Sequence, residues 1–249
     1  MPDPTPLERP DDPRDTAKLK AVLVLVAALA FAASPFVVEP FTGFDPAQMP
    51  VPVDDPPIQP AGWAFSIWGV IYLWLVASAG YGLVRRDTDA GWDRTRWPLF
   101  ASLAVGASWL AVAGLAPATA TFLIWVMLAG ALLALRAAPA RDGAWLALPL
   151  GLYAGWLTAA SCVALANVAA GYGLGGVVAL SWAGLALAVG IAVMAALSLR
   201  VVTYPLAVGW ALFGIVVANA AAAPAYAAAA GAGALAMLWL AWRDRRGAA

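Results

Sequence analysis

The feature that most constrains this chain is a series of long segments without a single charged side chain. Five such segments, of 18, 29, 39, 57 and 42 residues, cover 21–38, 56–84, 97–135, 143–199 and 201–242. A membrane-spanning helix needs about 20 predominantly apolar residues to cross the roughly 30 Å hydrocarbon layer. The first two segments therefore have room for one helix each, and each of the other three has room for two.

Helix breakers lie where the long segments need a tight connection. They are Pro117, the glycines between Gly171 and Gly176, and Pro224. With 63% hydrophobic and only 11% charged residues, the chain lacks the polar surface of an aqueous domain. The sequence thus predicts an all-α, polytopic membrane helix bundle with eight transmembrane helices, at 17–38, 61–84, 97–115, 119–135, 144–169, 175–197, 203–221 and 225–242.

The basic residues predict the orientation of these helices. All 14 Lys and Arg residues lie in the two tails or in the second, fourth and sixth connecting loops. The first loop, 39–60, contains four acidic residues and seven prolines but no basic residue. Because cytoplasmic loops carry the excess of Lys and Arg, both termini are predicted to be cytoplasmic. The tail 1–16, rich in Pro, Asp and Arg, is predicted to be disordered.

Several kinds of chemistry are excluded by what the predicted helices lack. The chain has no histidine and one cysteine, Cys162, so it offers no imidazole for a metal, a haem iron or a general base. No charge falls at membrane depth, where ion-coupled transporters place their coupling residues. The net charge of zero provides no basic excess for nucleic acid. We therefore predict a protein that is not an enzyme, has no cofactor and binds no nucleic acid.

The predicted helices are instead rich in tryptophan, with 13 in the chain. Phe65, Trp68 and Tyr72 are three and four residues apart, so they share one face of the second helix. One face of the fifth helix carries an aromatic pair, a strip of small residues and an amide: Tyr153, Trp156, Ala160, Val163, Ala164 and Asn167. Such a face forms either a ligand wall or a helix-packing surface, and the Gly151-x-x-x-Gly155 motif in the same helix favours packing.

Residues 59–72, Gln-Pro-Ala-Gly-Trp-Ala-Phe-Ser-Ile-Trp-Gly-Val-Ile-Tyr, resemble the signature of the TspO/MBR family of translocator or tryptophan-rich sensory proteins. Residues 97–109 and 152–161 resemble the third and fifth helices of that family. Residues 204–215 resemble a helix of extended bacterial members. The resemblance covers 17–169 as the five-helix family unit, with 170–249 as three additional helices and a short basic tail. Ala61, Gly106 and Ala164 depart from the better-known five-helix members.

The resemblance implies a pocket that opens toward the first loop, which folds over it as a lid. The implied partners are membrane lipid, a planar hydrophobic molecule that is porphyrin-like or sterol-like, and a second copy of the chain in a homodimer. The implied location is the bacterial cytoplasmic membrane. Together with the aromatic spacing, the resemblance predicts a ligand site formed by Trp63, Phe65, Trp68, Tyr72, Trp109, Tyr153, Trp156 and Asn167.

Two classes of function remain open on the sequence. In the first, the protein is a binding or sensory protein that takes a planar apolar ligand into a Trp-lined pocket, with or without translocating it. In the second, the eight helices form an uncoupled transporter for a small neutral or amphipathic solute. The missing intramembrane charges argue against ion coupling, but they are compatible with facilitated diffusion.

Overall fold

The predicted all-α bundle is confirmed by the computed structural model, which describes residues 13–38 and 41–246. These residues form eight α-helices, three short 3-10 helices and no strand. Seven of the α-helices are long and apolar enough to cross a membrane. The helices are α1 (Pro13–Ala33), α2 (Ile67–Arg85), α3 (Ala90–Ala113), α4 (Pro117–Ala137), α5 (Ala147–Gly171), α6 (Val177–Leu199), α7 (Thr203–Asn219) and α8 (Pro224–Arg246).

The predicted breakers coincide with helix ends. Pro117 and Pro224 are the first residues of α4 and α8, where the missing N–H leaves no helical hydrogen bond unmade. Gly173, at φ +73°, turns the chain after α5. The helix α7 has 17 residues and is therefore about 26 Å long, near the lower limit for a membrane span.

Five predicted boundaries were wrong by more than one turn: the starts of α1, α2 and α3 and the ends of α1 and α8. The helix α3 begins at Ala90, seven residues before the predicted start at 97, because Asp89 caps it by accepting hydrogen bonds from the N–H groups of Gly91 and Trp92. The helix α1 begins at Pro13, so residues 13–16 are helical and do not belong to the predicted disordered tail. The rest of that tail, 1–12, lies outside the described residues.

The first five helices form a ring, and the last three form a second layer against it. Around the ring, α1 packs on α2, α2 on α5, α5 on α4, α4 on α3 and α3 on α1. Both α6 and α7 pack on α5, and α8 packs mainly on α7. The helix α5 thus has neighbours on all sides, and most of its residues are buried.

The Gly151-x-x-x-Gly155 motif packs α5 against α7. A Cβ atom on Gly155 would collide with the carbonyl oxygen of Tyr204, and one on Gly151 would lie 2.5 Å from Oγ1 of Thr203. Because α7 occupies this face, the motif is not available to join two copies of the chain. The predicted homodimer therefore rests on the family resemblance, without support from this motif.

All described basic residues lie at one end of the bundle, which we call the basic end; the first loop lies at the opposite end, the loop end. Ion pairs join the connections at the basic end: Lys20 with Asp93, Arg86 with Asp142, and Arg141 with Asp89. Hydrogen bonds from the Arg86 guanidinium hold the pKa of the Asp142 carboxyl below its usual range.

This arrangement predicts which positions can be labelled from outside the cell. In a Cys162→Ala background, single cysteines at the exposed positions Ala47 and Ala118 should react with an impermeant maleimide in intact cells. Cysteines at Thr88 and Ala140, exposed at the basic end, should react only after permeabilisation. Labelling of position 88 in intact cells would contradict the orientation.

Candidate functional site

A small cavity lies within the ring of five helices, near the loop end, and has a volume of ≈ 40 Å³. Because one water needs about 10–15 Å³, the cavity has room for a few water molecules in this conformation. Its lining combines aromatic rings, small side chains and two amides: Phe41, Gly43, Phe44, Gln59, Pro60, Phe65, Trp68, Trp109, Ile124, Trp156, Ala159, Ala160, Val163, Ala164, Asn167 and Ala211.

Aromatic rings from three helices and the first loop meet at this cavity. The ring of Trp156 packs edge to face against Phe65 and Trp68, at centroid distances of 5.7 and 6.1 Å. Phe41 of the loop packs in the same way on Trp109, at 4.9 Å. These rings form much of the apolar lining of the cavity, a composition suited to a flat apolar molecule.

One face of α5 forms a long wall of the cavity. Trp156, Ala160, Val163 and Asn167 follow each other at helical spacing and all line the space. Trp156 and Asn167 are eleven residues apart, which places their Cα atoms about 16 Å apart along the helix axis. The small side chains between them create the room for the cavity, so this part of the face is not filled by a neighbouring helix.

The first loop closes the cavity at the loop end and is attached to several helices. Gln48 donates hydrogen bonds from Nε2 to the carbonyl oxygens of Ala113 and Gly114 at the end of α3, at 3.3 and 2.6 Å. The N–H of Val51 donates to the carbonyl oxygen of Gly171 at the end of α5 (2.9 Å). These bonds give the loop a defined position over the bundle.

The helix α7 holds the segment that joins the loop to α2. Asn219 donates from Nδ2 to the carbonyl oxygen of Pro57 (2.8 Å), and the N–H of Ala61 donates to the carbonyl oxygen of Gly214 (3.1 Å). Trp210 donates from Nε1 to the carbonyl oxygen of Ala64 (2.8 Å). The second layer of helices thus positions the entry to α2, and Ala211 of α7 itself lines the cavity.

Two further spaces adjoin the cavity, and we name them the cleft and the vestibule. The cleft, of ≈ 340 Å³, shares Phe41, Phe65, Trp68, Trp109 and Ile124 with the cavity and reaches the surface near the exposed Phe36 and Gly69, between α1 and α2. The vestibule, of ≈ 400 Å³, lies within the first loop and shares Gly43, Phe44, Gln59 and Asn167 with the cavity. Ligand pockets usually measure about 300–1,000 Å³, so a drug-sized ligand would need the cavity joined to one of these spaces.

Two buried polar atoms of the cavity lining have no hydrogen-bond partner: Nε1 of Trp156 and Oδ1 of Asn167. The amide orientation of Asn167 follows from its neighbours. The carbonyl oxygen of Thr42 only accepts, so Gln59 must direct Nε2 toward it (2.7 Å) and Oε1 toward Asn167. Asn167 therefore donates from Nδ2 to Gln59 (3.1 Å), and its Oδ1 is left unpaired although the residue is only 6% exposed.

Six of the eight predicted site residues line the cavity or the cleft. Phe65, Trp68, Trp109, Trp156 and Asn167 line the cavity. Tyr72 lines only the cleft, where its ring stacks on Trp68 at 5.3 Å.

Two predicted residues line neither space. Trp63 lies in the 3-10 helix Gly62–Ser66, and its ring packs on Trp210 and Phe213 of α7. Tyr153 is fully buried beneath the cavity, with its hydroxyl 2.9 Å from Oγ of Ser102.

Sequence reasoning missed the loop residues that complete the site. Phe41, Phe44 and Gln59 line the cavity, yet no periodicity marks them because they lie outside the α-helices. Gln59 carried one available signal, since it begins the family motif. Gly106 also gains an explanation: a Cβ atom there would lie 2.8 Å from the ring of Phe31, so the glycine makes room for this ring inside the bundle.

A bundle of apolar helices with an aromatic-lined cavity beneath a folded loop defines an integral membrane protein. The family model described as TSPO-like protein matches residues 20–242. The chain therefore belongs to the TSPO-like family, which confirms the resemblance seen in the second helix.

The match to the family model runs from α1 to α8, so it includes the three helices that follow the five-helix unit. Comparison with curated proteins and with solved structures gave no significant match.

Proposed function

We propose that this protein binds a planar apolar ligand, of the tetrapyrrole kind, between the ring of five helices and the first loop. The observation that supports this most is the cavity itself: six aromatic residues line it, and two of its lining residues carry a buried donor and a buried acceptor without a partner. Buried polar atoms without partners cost free energy, so a helix bundle without a ligand gains nothing from keeping them. A bound molecule that pairs with them offsets this cost.

The two adjoining spaces suggest how the ligand enters. The cleft reaches the surface between α1 and α2 and is almost wholly apolar, so it suits a molecule that arrives from the bilayer. Trp68 and Phe41 separate the cleft from the cavity, and movement of these rings would join them. We place the protein in a bacterial cytoplasmic membrane, with the loop end outside.

Two measurements test this proposal. Purified protein is titrated with protoporphyrin dimethyl ester, a flat tetrapyrrole without charge, while tryptophan fluorescence is followed, and cholesterol serves as the sterol competitor. Saturable quenching that depends on Trp68 supports the proposal, and its absence contradicts it. Transfer of the same ester between the two leaflets of proteoliposomes then separates binding from transport, because a transporter accelerates this transfer and a binding protein does not.

The first loop is expected to slow ligand release. Residues 47–55 include Met49 and Val53, which are buried at the loop end, and Gln48, which bonds to the end of α3. Replacing these nine residues with nine of Gly and Ser leaves every α-helix intact but removes these contacts. We expect release of the ester, measured by stopped-flow fluorescence, to become several-fold faster.

The control for the loop replacement is a change at the other end of the bundle. Substitution of 138–140, between α4 and α5 at the basic end, by Gly and Ser should leave the release rate unchanged. Equal release rates for the wild type and the 47–55 variant, at the same affinity, would show that the loop is only a connection.

A further inference from the structure

The mouth of the cavity carries negative charge only. The vestibule is lined by three carboxylates, Asp45, Asp54 and Asp55, and all three residues are exposed. Every described Lys and Arg lies at the opposite, basic end. A cleft lined by charge of one sign raises the local concentration of counter-ions, so cations are concentrated at this mouth and anions are excluded.

A second observation points to what is held there. Oδ1 of Asn167 is buried, has no partner and belongs to a residue that lines both the vestibule and the cavity. The hydrogen bonds of Gln59 fix this atom as an acceptor. An acceptor at this point is satisfied by an N–H or O–H donor at the end of a ligand that faces the vestibule, and a carboxylate cannot supply one.

The aromatic lining is compatible with the same charge. Phe44 lines both the cavity and the vestibule, and Phe41 packs on it at a centroid distance of 5.3 Å. The face of an aromatic ring attracts an ammonium group through its quadrupole, most strongly where water is excluded. A positively charged end therefore finds ring faces, an unpaired carbonyl oxygen and carboxylates at one place.

We infer that the ligand is a cationic amphiphile, with a flat apolar body in the cavity and a protonated amine beside Asn167 at the acidic vestibule. This inference rests on the proposed function and adds the charge and the orientation of the ligand. It favours an amine over a porphyrin dicarboxylate, because the carboxylates of such a porphyrin would be repelled by Asp54 and Asp55 at the mouth.

Three pyrene derivatives test the inference because they share one flat body: 1-pyrenylmethylammonium, 1-ethylpyrene and 1-pyreneacetate. The first two are nearly isosteric and differ in charge and in the N–H donor. We expect the ammonium to bind at least about tenfold more tightly than 1-ethylpyrene, as for a hydrogen bond to a charged group. The acetate should bind most weakly. Affinity is measured from energy transfer between tryptophan and pyrene in a non-ionic detergent.

Two variants assign the preference to this mouth. Asp54→Asn/Asp55→Asn keeps the shape, since asparagine tolerates the positive φ of 42° at position 55. This double variant should weaken binding of the ammonium roughly three- to tenfold and leave the affinity for 1-ethylpyrene unchanged. The control Asp15→Asn/Asp87→Asn also removes two carboxylates, but at the basic end, and should change neither affinity. Asn167→Leu should weaken binding of the ammonium more than binding of 1-ethylpyrene. If the substitution merely distorted the cavity, binding of both would weaken equally.

The outcomes separate this inference from the proposed function. If 1-ethylpyrene binds in a Trp68-dependent manner but the ammonium has no advantage, the inference is wrong and the proposed function stands. An ammonium preference that survives in Asp54→Asn/Asp55→Asn and in Asn167→Leu would also overturn it. If none of the three pyrenes binds while protoporphyrin dimethyl ester does, the inference is wrong and the proposed function stands. If neither the pyrenes nor the ester binds, both fail.

Discussion

Replacement of Trp68 by alanine is expected to weaken binding of protoporphyrin dimethyl ester by about 1–3 kcal/mol, or roughly 5- to 150-fold. Trp68 is one of two indole rings that line both the cavity and the cleft, and it contacts Tyr72 and Trp156. Its removal takes away a large flat surface at the boundary between the two spaces. Equilibrium titration followed by porphyrin emission measures the change without relying on the lost tryptophan.

The matched control is Trp242→Ala at the basic end. Trp242 is half exposed and packs under Arg246, whose guanidinium lies 4.0 Å from the ring centroid. It is far from the cavity, so its loss should leave the affinity nearly unchanged. If both substitutions weakened binding equally, the effect of Trp68→Ala would be a general loss of stability, and Trp68 would be a packing residue.

How far the sequence predicted the fold depends on which interaction decides each feature. Helix number, the breakers and the grouping of basic residues depend on local composition, so they were predicted correctly. The start of α3 was predicted wrongly, because the apolar content of the sequence ends at Trp97, whereas the helix extends toward the N-terminus as far as its cap, Asp89. Arg96 then lies inside α3 and is buried, where it donates hydrogen bonds to the carbonyl oxygens of Ala17, Arg86 and Asp87.

The candidate site was predictable where helical periodicity fixes a direction. Trp156 and Asn167 lie on one face of the regular helix α5, and both line the cavity. Trp63 was misplaced because its ring packs on Trp210 and Phe213 of α7. Phe65, in the same 3-10 helix, does line the cavity. Periodicity also says which face is apolar without saying what covers it, so Tyr153 was assigned to a ligand wall although the ring of Phe31 packs against it.

The acidic vestibule could be anticipated in part. The sequence places four acidic residues and no basic residue between the first two helices. It does not reveal that Asp45, Asp54 and Asp55 surround one space with Asn167, because that depends on how the prolines between Pro46 and Pro60 direct the chain. Long-range hydrogen bonds such as that from Asn219 to Pro57, 162 residues apart, decide this path.

The substitution Gly155→Ala is expected to destabilise the protein by about 1–3 kcal/mol, as for overpacking of a tight core. The added Cβ atom would collide with the carbonyl oxygen of Tyr204 and lie 2.9 Å from Cβ of Ala207. Backbone atoms cannot rotate away, so α5 and α7 must separate. Their separation strains the bond between the hydroxyls of Thr158 and Tyr204, which are 2.8 Å apart. Thermal unfolding in detergent should show a melting temperature lower by several degrees.

The control for Gly155→Ala is Gly190→Ala on α6, where the position is exposed and no other atom lies within 4 Å of the added Cβ. Alanine there should be neutral or slightly stabilising, because it restricts the unfolded chain and favours the helix. The oligomeric state distinguishes packing of Gly155 within one chain from packing between two copies. Since Gly155 packs within one chain, Gly155→Ala should lower the melting temperature without shifting a monomer–dimer equilibrium. A variant that keeps its melting temperature but loses dimers on crosslinking would show instead that Gly155 joins two copies, and that α7 does not fill this face.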